Sequence, residues 1–345
     1  MKYAIISVTE KGQNLAKTLL NYLENDPSVI KADIFHKNVK STLNDHFHQY
    51  DCWVGIMASG IMVRSLCGLI KTKFSDPAVL VVDENGKHVI SLLSGHIGGA
   101  NNFTVKLAGM IGAVPVITTA TDLAGKMGVD TLAYQYWLYI HHKKFIKTMN
   151  QYITAGGKVD LDLPAQFNFL KNHPLANKSY NFNKWDKSFI RAKLFADKKV
   201  YLTPKRMVAG VGSKKGVTEE QVFFALRSAL QYLHLPVDRL DAMATAEIKE
   251  EEEGIKLAAI KLNLPLKIIS LDKIRHFHHP DCTPSKLVKR KFGIEGVSEP
   301  TALLEAGENS RLILKKTAYN GVTVAVAVAS GSNFSKYDKL THDTF

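Results

Sequence analysis

The residues with the clearest chemical potential lie in one short loop around a histidine. His96 occupies the centre of a Gly-x-His-x-Gly-Gly segment, with Ser94 before it and Asn101 and Asn102 after it. Imidazole titrates near neutral pH, so a histidine in such a position can take up or release a proton during a reaction. The plainer alternative is a tight turn that carries a surface histidine. The loop glycines are Gly95, Gly98 and Gly99.

A second polar group follows the next apolar run along the chain. Thr119, Thr121 and Asp122 come directly after residues 114–118, which we predict to form a strand. Residues 88–93 predict the preceding strand, and residues 103–111 predict a helix between them that Asn101 or Asn102 caps. Both polar groups therefore follow the carboxyl ends of strands, where open α/β sheets bind ligands.

Two further segments repeat the plan of strand, glycine turn and helix. Gly60 precedes an apolar helix that contains Arg64, which either forms a salt bridge or binds a carboxylate or phosphate. Gly210 and Gly212 precede a lysine pair, Lys214 and Lys215, which is either solvated or binds an anion at the next helix. The spacing of these glycines does not match the dinucleotide-binding fingerprint.

The composition favours an acidic partner. The 345 residues carry a formal net charge of +13 and are 46% hydrophobic. The candidate partners are nucleic acid, a membrane surface or a polyanionic small molecule. The sequence has no run long and apolar enough to span a membrane and does not begin like a secretory signal, so we expect no membrane association. Three cysteines without C-x-x-C spacing favour a reducing, cytoplasmic location.

The pattern of elements predicts a multi-domain α/β protein. Residues 1–122 predict an N-terminal domain with a mixed sheet, because Asn85-Gly86 between two apolar runs indicates a hairpin. Residues 123–206 predict a basic, β-rich middle insert that begins with a helix over residues 130–149. Residues 207–330 predict a C-terminal α/β domain, in which a strand ends at Thr245, and residues 331–345 a polar tail. The histidines near Cys282 match no known zinc spacing, so no metal site is predicted.

Several segments together resemble the CbiG family of cobalamin-biosynthesis proteins. The resemblance covers nearly the whole chain and is weakest in the middle block. In the 210–216 loop the family usually has Cys and two Arg, where this chain has Ser213, Lys214 and Lys215. Charge is kept there, but the planar guanidinium fork is lost. The segments are GIMVRSLCGLI, SDPAVLVVDENGKHVISLL, SLLSGHIGGAN, PVITTATD, MVAGVGSKKGVTEEQV, AMATAEIKEEEEGIKLAAIKLNLPL and GVTVAVA.

The resemblance implies an enzyme of anaerobic vitamin B12 synthesis, cobalt-precorrin-5A hydrolase. Such an enzyme opens a δ-lactone of its tetrapyrrole substrate and releases acetaldehyde, which leaves cobalt-precorrin-5B. The resemblance also implies that the protein has no cofactor of its own, because cobalt arrives in the substrate. Neighbouring corrin-pathway enzymes are possible partners. On this basis His96 is the predicted base, with Asp122 as a second candidate or as its orienting partner.

The remaining predicted site residues would bind the substrate. Backbone N–H groups near Gly98 and Gly99 and the side chains of Asn101 or Asn102 would stabilise the oxyanion. Thr119 and Thr121 would hold the lactone or a nearby carboxylate. Peripheral carboxylates would contact Arg64, Lys214 and Lys215. The full substrate-binding set is Gly60, Arg64, Ser94, Gly95, Gly98, Gly99, Asn101, Asn102, Thr119, Thr121, Gly210, Gly212, Lys214, Lys215 and Thr245.

Three other functions stay open on the sequence alone. A non-catalytic tetrapyrrole carrier would bind a corrinoid without releasing acetaldehyde. An enzyme that uses a nucleotide or S-adenosylmethionine on a doubly wound sheet is disfavoured by the missing dinucleotide fingerprint. A nucleic-acid role is the weakest, because the basic block contains no recognisable binding module, and we expect no nucleic-acid partner.

Overall fold

The computed structural model describes residues 1–195 and 197–331, and of Asp122 it describes the backbone alone. These residues form two compact units. The first comprises residues 1–135, 144–159 and 174–180, and the second comprises residues 136–143, 160–173 and the chain from 181 onward. The predicted boundaries after residues 122 and 206 stay predictions, and the predicted tail lies outside the described residues from 332 onward.

The first unit is built on a six-stranded mixed sheet with the order β2-β1-β3-β4-β5-β6. Strands β1 to β4 run parallel, whereas β5 pairs antiparallel with β4 and parallel with β6. The hairpin predicted at Asn85-Gly86 joins β4 to β5, and Gly86 has the positive φ of 64° that such a turn favours. The strands are β1 (Lys2–Ser7), β2 (Lys31–His36), β3 (Cys52–Ile56), β4 (Ala78–Val82), β5 (His88–Leu93) and β6 (Val114–Val116).

The reversal at β5 decides which loops share an edge of this sheet. Ile56, at the end of β3, lies opposite Val82 at the end of β4, and Val82 in turn pairs with Val89 at the start of β5. The loop that follows Leu93 therefore lies at the edge opposite to the one reached by the carboxyl ends of β1 to β4. Gly60 follows β3 and is separated from the His96 loop by the length of the strands.

Helices cover both faces of the sheet. Leu19 and Leu23 of α1 and Phe103 and Leu107 of α4 bury their side chains in one core, and α2 and α3 pack into the other. The sequence predicts that Gly112 terminates α4, and Gly112 follows the last helical residue with a left-handed φ of 69°. The helices of this unit are α1 (Glu10–Glu24), α2 (Val39–His46), α3 (Ser59–Leu66), α4 (Ala100–Ile111), α5 (Ala120–Leu123), α6 (Val129–Gln135), α7 (Ile146–Thr154) and α8 (Pro174–Ser179).

The prediction of a single helix over residues 130–149 is wrong. The segment forms α6, then strand β7 (Leu138–His141), then α7. Trp137 and His142 adopt left-handed φ values of 55° and 54° on either side of the strand, which interrupts any helix. β7 pairs antiparallel with strand β11 (Lys198–Pro204). Tertiary pairing therefore decides the conformation of these aromatic residues, which the helical pattern alone does not capture.

The second unit contains two five-stranded sheets, with the orders β7-β11-β10-β8-β9 and β14-β13-β12-β16-β15. The first is the predicted β-rich middle block, and the second has parallel β12 to β14 and antiparallel β15 and β16. The predicted mixed α/β class is confirmed. The strands are β8 (Val159–Leu163), β9 (Tyr180–Lys184), β10 (Ile190–Leu194), β11 (Lys198–Pro204), β12 (Met207–Ser213), β13 (Ala242–Ala246), β14 (Leu266–Ile269), β15 (Arg311–Tyr319) and β16 (Val322–Val328).

Helices flank the second of these sheets. Thr218 with Gln221 three residues later predicts a capping box, and this box is present at the start of α9. Within the described ranges, no helix is long and apolar enough to cross a membrane. The helices are α9 (Glu219–Tyr232), α10 (Glu253–Lys261), α11 (Leu271–His276), α12 (Lys286–Phe292) and α13 (Ser298–Ala306).

A fully buried arginine joins the parts of the second unit. Arg239 donates from Nε to the Tyr136 carbonyl at 2.7 Å and from a terminal nitrogen to the Lys205 carbonyl at 2.6 Å. Its other terminal nitrogen forms an ion pair with the Asp241 carboxylate at 3.0 Å. Since a buried charge without partners is costly, this guanidinium fixes the backbone around β7 and the start of β12.

We expect Arg239→Met to lower the free energy of unfolding by about 3–5 kcal/mol, because three carbonyls and a carboxylate each lose a donor. Arg227→Met on the exposed side of α9 is the matched control and should change it by less than about 0.5 kcal/mol. Urea unfolding followed by circular dichroism measures both. Equal stability of the two variants would contradict the structural role of Arg239.

Candidate catalytic site

The glycine-rich loop is tightly packed by its own neighbours. A Cβ atom at Gly98 would lie 2.4 Å from Cβ of Ser94, and one at Gly99 would lie 2.0 Å from the hydroxyl of Tyr134. A Cβ at Gly95 would approach the Asn101 side chain to 2.8 Å. The glycines are therefore required by close contacts as well as by the turn.

The amide groups at the start of α4 are used inside the loop. The Gly99 N–H donates to the His96 carbonyl at 3.0 Å, and the Ala100 and Asn101 N–H groups donate to the carbonyls of Ser94 and Gly95 at 3.1 and 3.0 Å. The Gly99 N–H is consequently not available as the predicted oxyanion donor. These bonds instead hold the loop in the shape that positions the His96 side chain.

His96 lies between a hydroxyl and a carboxylate. Its Nε2 is 3.0 Å from Oγ1 of Thr121, and its Nδ1 is 3.5 Å from Oδ2 of Asp130. The His96 side chain is 16% exposed, whereas that of Asp130 is fully buried. A carboxylate beside one imidazole nitrogen favours the tautomer that carries its proton there, which leaves the other nitrogen as an acceptor.

Asp130 is a buried charge with four polar partners. Besides His96, Nζ of Lys73 lies 3.2 Å from its Oδ2, while Nδ2 of Asn150 and the Thr131 N–H donate to Oδ1 at 2.7 and 3.1 Å. Burial by itself raises the pKa of the Asp130 carboxyl. The hydrogen bond and charge of His96, followed by Lys73 and Asn150, outweigh burial and hold this pKa well below its ordinary value.

A second polar contact connects α4 to the segment after β6. The Asn101 side chain accepts a hydrogen bond from the Ser91 hydroxyl at 2.7 Å and donates to Oγ1 of Thr119 at 2.8 Å. The predicted helix cap is wrong, because Gly99 is the N-cap residue and neither Asn101 nor Asn102 caps the helix. Asn101 is buried in this bridge, whereas Asn102 is exposed.

Ser94 combines backbone strain with an unpaired hydroxyl. Its φ is 59°, a left-handed value that is uncommon for residues other than glycine, and its side chain is buried. Within the described structure its hydroxyl oxygen has no hydrogen-bond partner. Both properties are more frequent at functional sites than elsewhere, so they favour a ligand contact close to His96.

Comparison with known proteins assigns the family. The family model of the cobalamin synthesis G N-terminal region matches residues 41–122, and that of the C-terminal region matches residues 207–327. The chain belongs to the CbiG family.

Relatives support this assignment over the full length. "Probable cobalt-precorrin-5A hydrolase" of Methanocaldococcus jannaschii is 33% identical over 95% of this chain and 99% of its own. Cobalt-precorrin-5A hydrolase of Salmonella typhimurium is 34% identical over 86% and 87%. The crystal structure of a cobalamin biosynthesis protein G homolog from Sulfolobus solfataricus covers 95% of this chain and 97% of that one, with a TM-score of 0.56 and 24% identity, and shares the fold.

The other predicted site residues of this CbiG-family chain fall into separate places. Gly60 and Arg64 lie at the opposite edge of the six-stranded sheet from His96, and Arg64 is exposed and donates to the Gly60 carbonyl at 3.4 Å. The topology therefore does not bring them to the histidine. The side chain of Asp122 lies outside the described part of the structure, so its predicted role stays a prediction.

In the second unit, two of the predicted ligand contacts are structural. Thr245 is fully buried, and its hydroxyl donates to the Val211 carbonyl at 2.7 Å, so it cannot reach a ligand. A Cβ atom at Gly210 would lie 1.8 Å from the Ser298 carbonyl, so this glycine permits α13 to pack closely on β12. Gly212, Lys214 and Lys215 line an open cleft.

Sequence reasoning missed Asp130, Lys73 and Asn150. Asp130 follows the predicted strand at 114–118 by twelve residues and is the first residue of the predicted helix. Lys73 and Asn150 lie far from it along the chain. No spacing rule connects the three. Among the described residues, no group of three or more His, Cys, Asp or Glu side chains could hold a metal ion.

We expect Gly98→Ala to lower the free energy of unfolding by about 1–3 kcal/mol, because the new methyl overlaps Cβ and the carbonyl of Ser94. Gly109→Ala, on the exposed side of α4 with open space around it, is the matched control and should stabilise the protein by about 0.5–1 kcal/mol. Thermal unfolding of the two variants measures the difference. A neutral Gly98→Ala would show that the loop is not packed as described.

The depressed Asp130 pKa predicts how its contribution to stability depends on pH. The contribution is complete above the unfolded pKa of about 3.9 and is lost as pH falls through the lower folded value. The difference in unfolding free energy between wild type and Asp130→Asn should be smaller at about pH 3 than at about pH 5. Urea titrations across this range measure it, with the exposed Asp186→Asn as control. A difference that does not shrink in acid would contradict the ionised buried carboxylate.

Proposed function

We propose that this chain is a cobalt-precorrin-5A hydrolase that opens a δ-lactone and releases acetaldehyde, giving cobalt-precorrin-5B. The relatives named above carry this activity in their names, at 33% and 34% identity over most of the chain. The observation that carries the proposal to particular residues is the buried Asp130 carboxylate beside Nδ1 of His96, with Nε2 left to accept a proton.

The first step in this proposal is hydrolysis of the lactone. His96 removes a proton from water through Nε2, and the resulting hydroxide attacks the lactone carbonyl. Collapse of the tetrahedral intermediate breaks the carbon–oxygen bond and leaves a carboxylate and a hydroxyl group. Asp130 stabilises the imidazolium that forms and holds the ring in position, as the carboxylate of a catalytic triad does. Thr121, which contacts Nε2, orients the attacking water.

The second step is carbon–carbon cleavage. Removal of the proton from the new hydroxyl group allows its carbon to form the carbonyl of acetaldehyde. The bonding electron pair passes to the conjugated macrocycle, which spreads the charge and later takes up a proton. The protein supplies a base and the position of the hydroxyl, and the ring supplies the electron sink. Asp122 remains a second candidate for the base in either step.

Binding of the substrate would use the positive charge of the protein. A tetrapyrrole with many acetate and propionate groups is a polyanion, and the chain has a net charge of +13. Ser94 and Thr119 would contact the substrate near the lactone, while the buried Asn101 holds Thr119 in place. We propose that cobalt arrives in the substrate and that the protein needs no cofactor of its own. A cytoplasmic location and neighbouring corrin-pathway enzymes as partners belong to the same proposal.

We expect His96→Ala to lower the rate of acetaldehyde release by about 10²–10⁴-fold, since the base is removed. Asp130→Asn should lower kcat by a comparable factor while KM changes little, because the substrate is still bound. His88→Ala, at the exposed start of β5, is the matched control and should keep the wild-type rate. Acetaldehyde is measured with a coupled alcohol dehydrogenase on purified enzyme and cobalt-precorrin-5A.

Two results would contradict the proposal at different levels. A near-normal rate for His96→Ala would contradict the role of His96 as the base and leave the hydrolase activity itself unaffected. A wild-type chain that binds the corrinoid, seen as a shift in its visible absorption, without releasing acetaldehyde would be a tetrapyrrole carrier and not a hydrolase.

A further inference from the structure

A large cleft lies within the second unit, among the elements of its C-terminal sheet. Its volume is about 1290 Å³, and its lining comes from the loop after β12, the start of α10, helix α12, the start of α13 and strands β15 and β16. Pockets for small molecules typically have volumes of about 300–1,000 Å³, so this cleft can take a ligand larger than most metabolites.

One wall of the cleft is a partly exposed apolar face. Leu287, Val288 and Phe292 of α12 line the cleft, and the side chains of Leu287 and Phe292 are 55% and 38% exposed. No residue of α12 is buried. A helix whose apolar residues stay exposed towards a cavity gains stability when a flat apolar surface covers them.

The rim of the cleft is cationic. Lys214, Lys291 and Lys316 line it, and none of them forms an ion pair with a described residue. Three glutamates also line the cleft, and each pairs with a lysine other than these three: Glu252 pairs with Lys249 at 3.1 Å, and Glu251 and Glu253 pair with Lys256 at 3.1 and 3.5 Å. Lys316 donates to the Thr283 carbonyl at 3.3 Å, which does not neutralise its charge. The three lysines therefore leave positive charge available to an entering anion.

Two serines supply unmet hydrogen-bonding capacity in the same lining. The hydroxyl oxygens of Ser213 and Ser298 are buried, and within the described structure neither has a hydrogen-bond partner. Ser298 is only 1% exposed. Since buried polar atoms are nearly always paired in the functional state of a protein, these hydroxyls favour a polar ligand group beside them.

We infer that this cleft binds the corrin macrocycle, with the ring against the apolar face of α12 and its carboxylates at Lys214, Lys291 and Lys316. The inference rests on the proposed function for the identity of the ligand. The features that select it are the volume, an apolar wall for a flat ring and several separate cations for several carboxylates. The three lysines come from three different elements, the loop after β12, helix α12 and strand β15.

The test measures binding of cobyrinic acid, a stable corrinoid with free carboxylates, to the full-length chain by tryptophan fluorescence quenching. We compare wild type with the triple variant Lys214→Glu, Lys291→Glu, Lys316→Glu, and with Leu287→Asp. The control triple variant Lys17→Glu, Lys40→Glu, Lys187→Glu changes the net charge equally at exposed positions away from the cleft. All of the substituted lysines except Lys316 are exposed, and circular dichroism confirms that each variant is folded.

We expect the cleft triple variant to bind cobyrinic acid at least about tenfold more weakly than wild type, with Leu287→Asp also weakened. The control triple variant should stay within about threefold of wild type. The uncharged heptamethyl ester of cobyrinic acid should bind wild type at least about tenfold more weakly than the acid, since it keeps the ring but loses the charges.

Equal affinities of the cleft and control variants would overturn the inference, as would equal affinities of wild type for the acid and its ester. These outcomes are distinct from failure of the proposed function, which is read from acetaldehyde release by wild type. A wild type that releases acetaldehyde, together with equal cobyrinic acid affinities of the cleft and control variants, would rule out the cleft as a corrinoid site and leave the activity standing. If the cleft variant binds cobyrinic acid more weakly but wild type releases no acetaldehyde, the proposed activity is contradicted and the binding site in the cleft is supported.

Discussion

The structure of the first unit depends on keeping one buried carboxylate ionised. Asp130 has no exposed side-chain surface, and an isolated charge in such a place would be neutralised or would destabilise the fold. Lys73, His96 and Asn150 together make the charge tolerable. They come from the segment before β4, from the loop after β5 and from α7, so the need to satisfy one group brings three distant parts of the chain together.

The direction of β5 decides which predicted site residues can cooperate. All three glycine turns looked equivalent along the sequence, because each follows a strand. The hairpin at Asn85-Gly86 reverses the sheet, so the His96 loop and the Thr119–Thr121 segment meet at one edge while Gly60 and Arg64 remain at the other. The same hairpin was predicted from the sequence, but its consequence for Arg64 follows only from the pairing of the strands.

The sequence predicts turns and helix ends correctly where adjacent residues alone determine them. The hairpin, the Gly112 helix end and the capping box at Thr218 each depend on the conformational preferences of a few adjacent residues. The failures have non-local causes. Residues 138–141 form a strand because they pair with β11. Asn101 does not cap α4, because its side chain bridges Ser91 and Thr119. Asp130 could not be recognised as a site residue, since its partners are adjacent only in the folded chain.

The first unit is also discontinuous, and this limits how the protein can be divided. The chain leaves and re-enters the unit around residues 136–143 and 160–173 before leaving it after residue 180. A gene fragment that stops at residue 122, where the first family match ends, would encode His96 but neither Asp130 nor Asn150. Exchange of N-terminal halves between relatives must therefore carry the sequence as far as residue 180, so that the histidine keeps the counter-charge with which it folds.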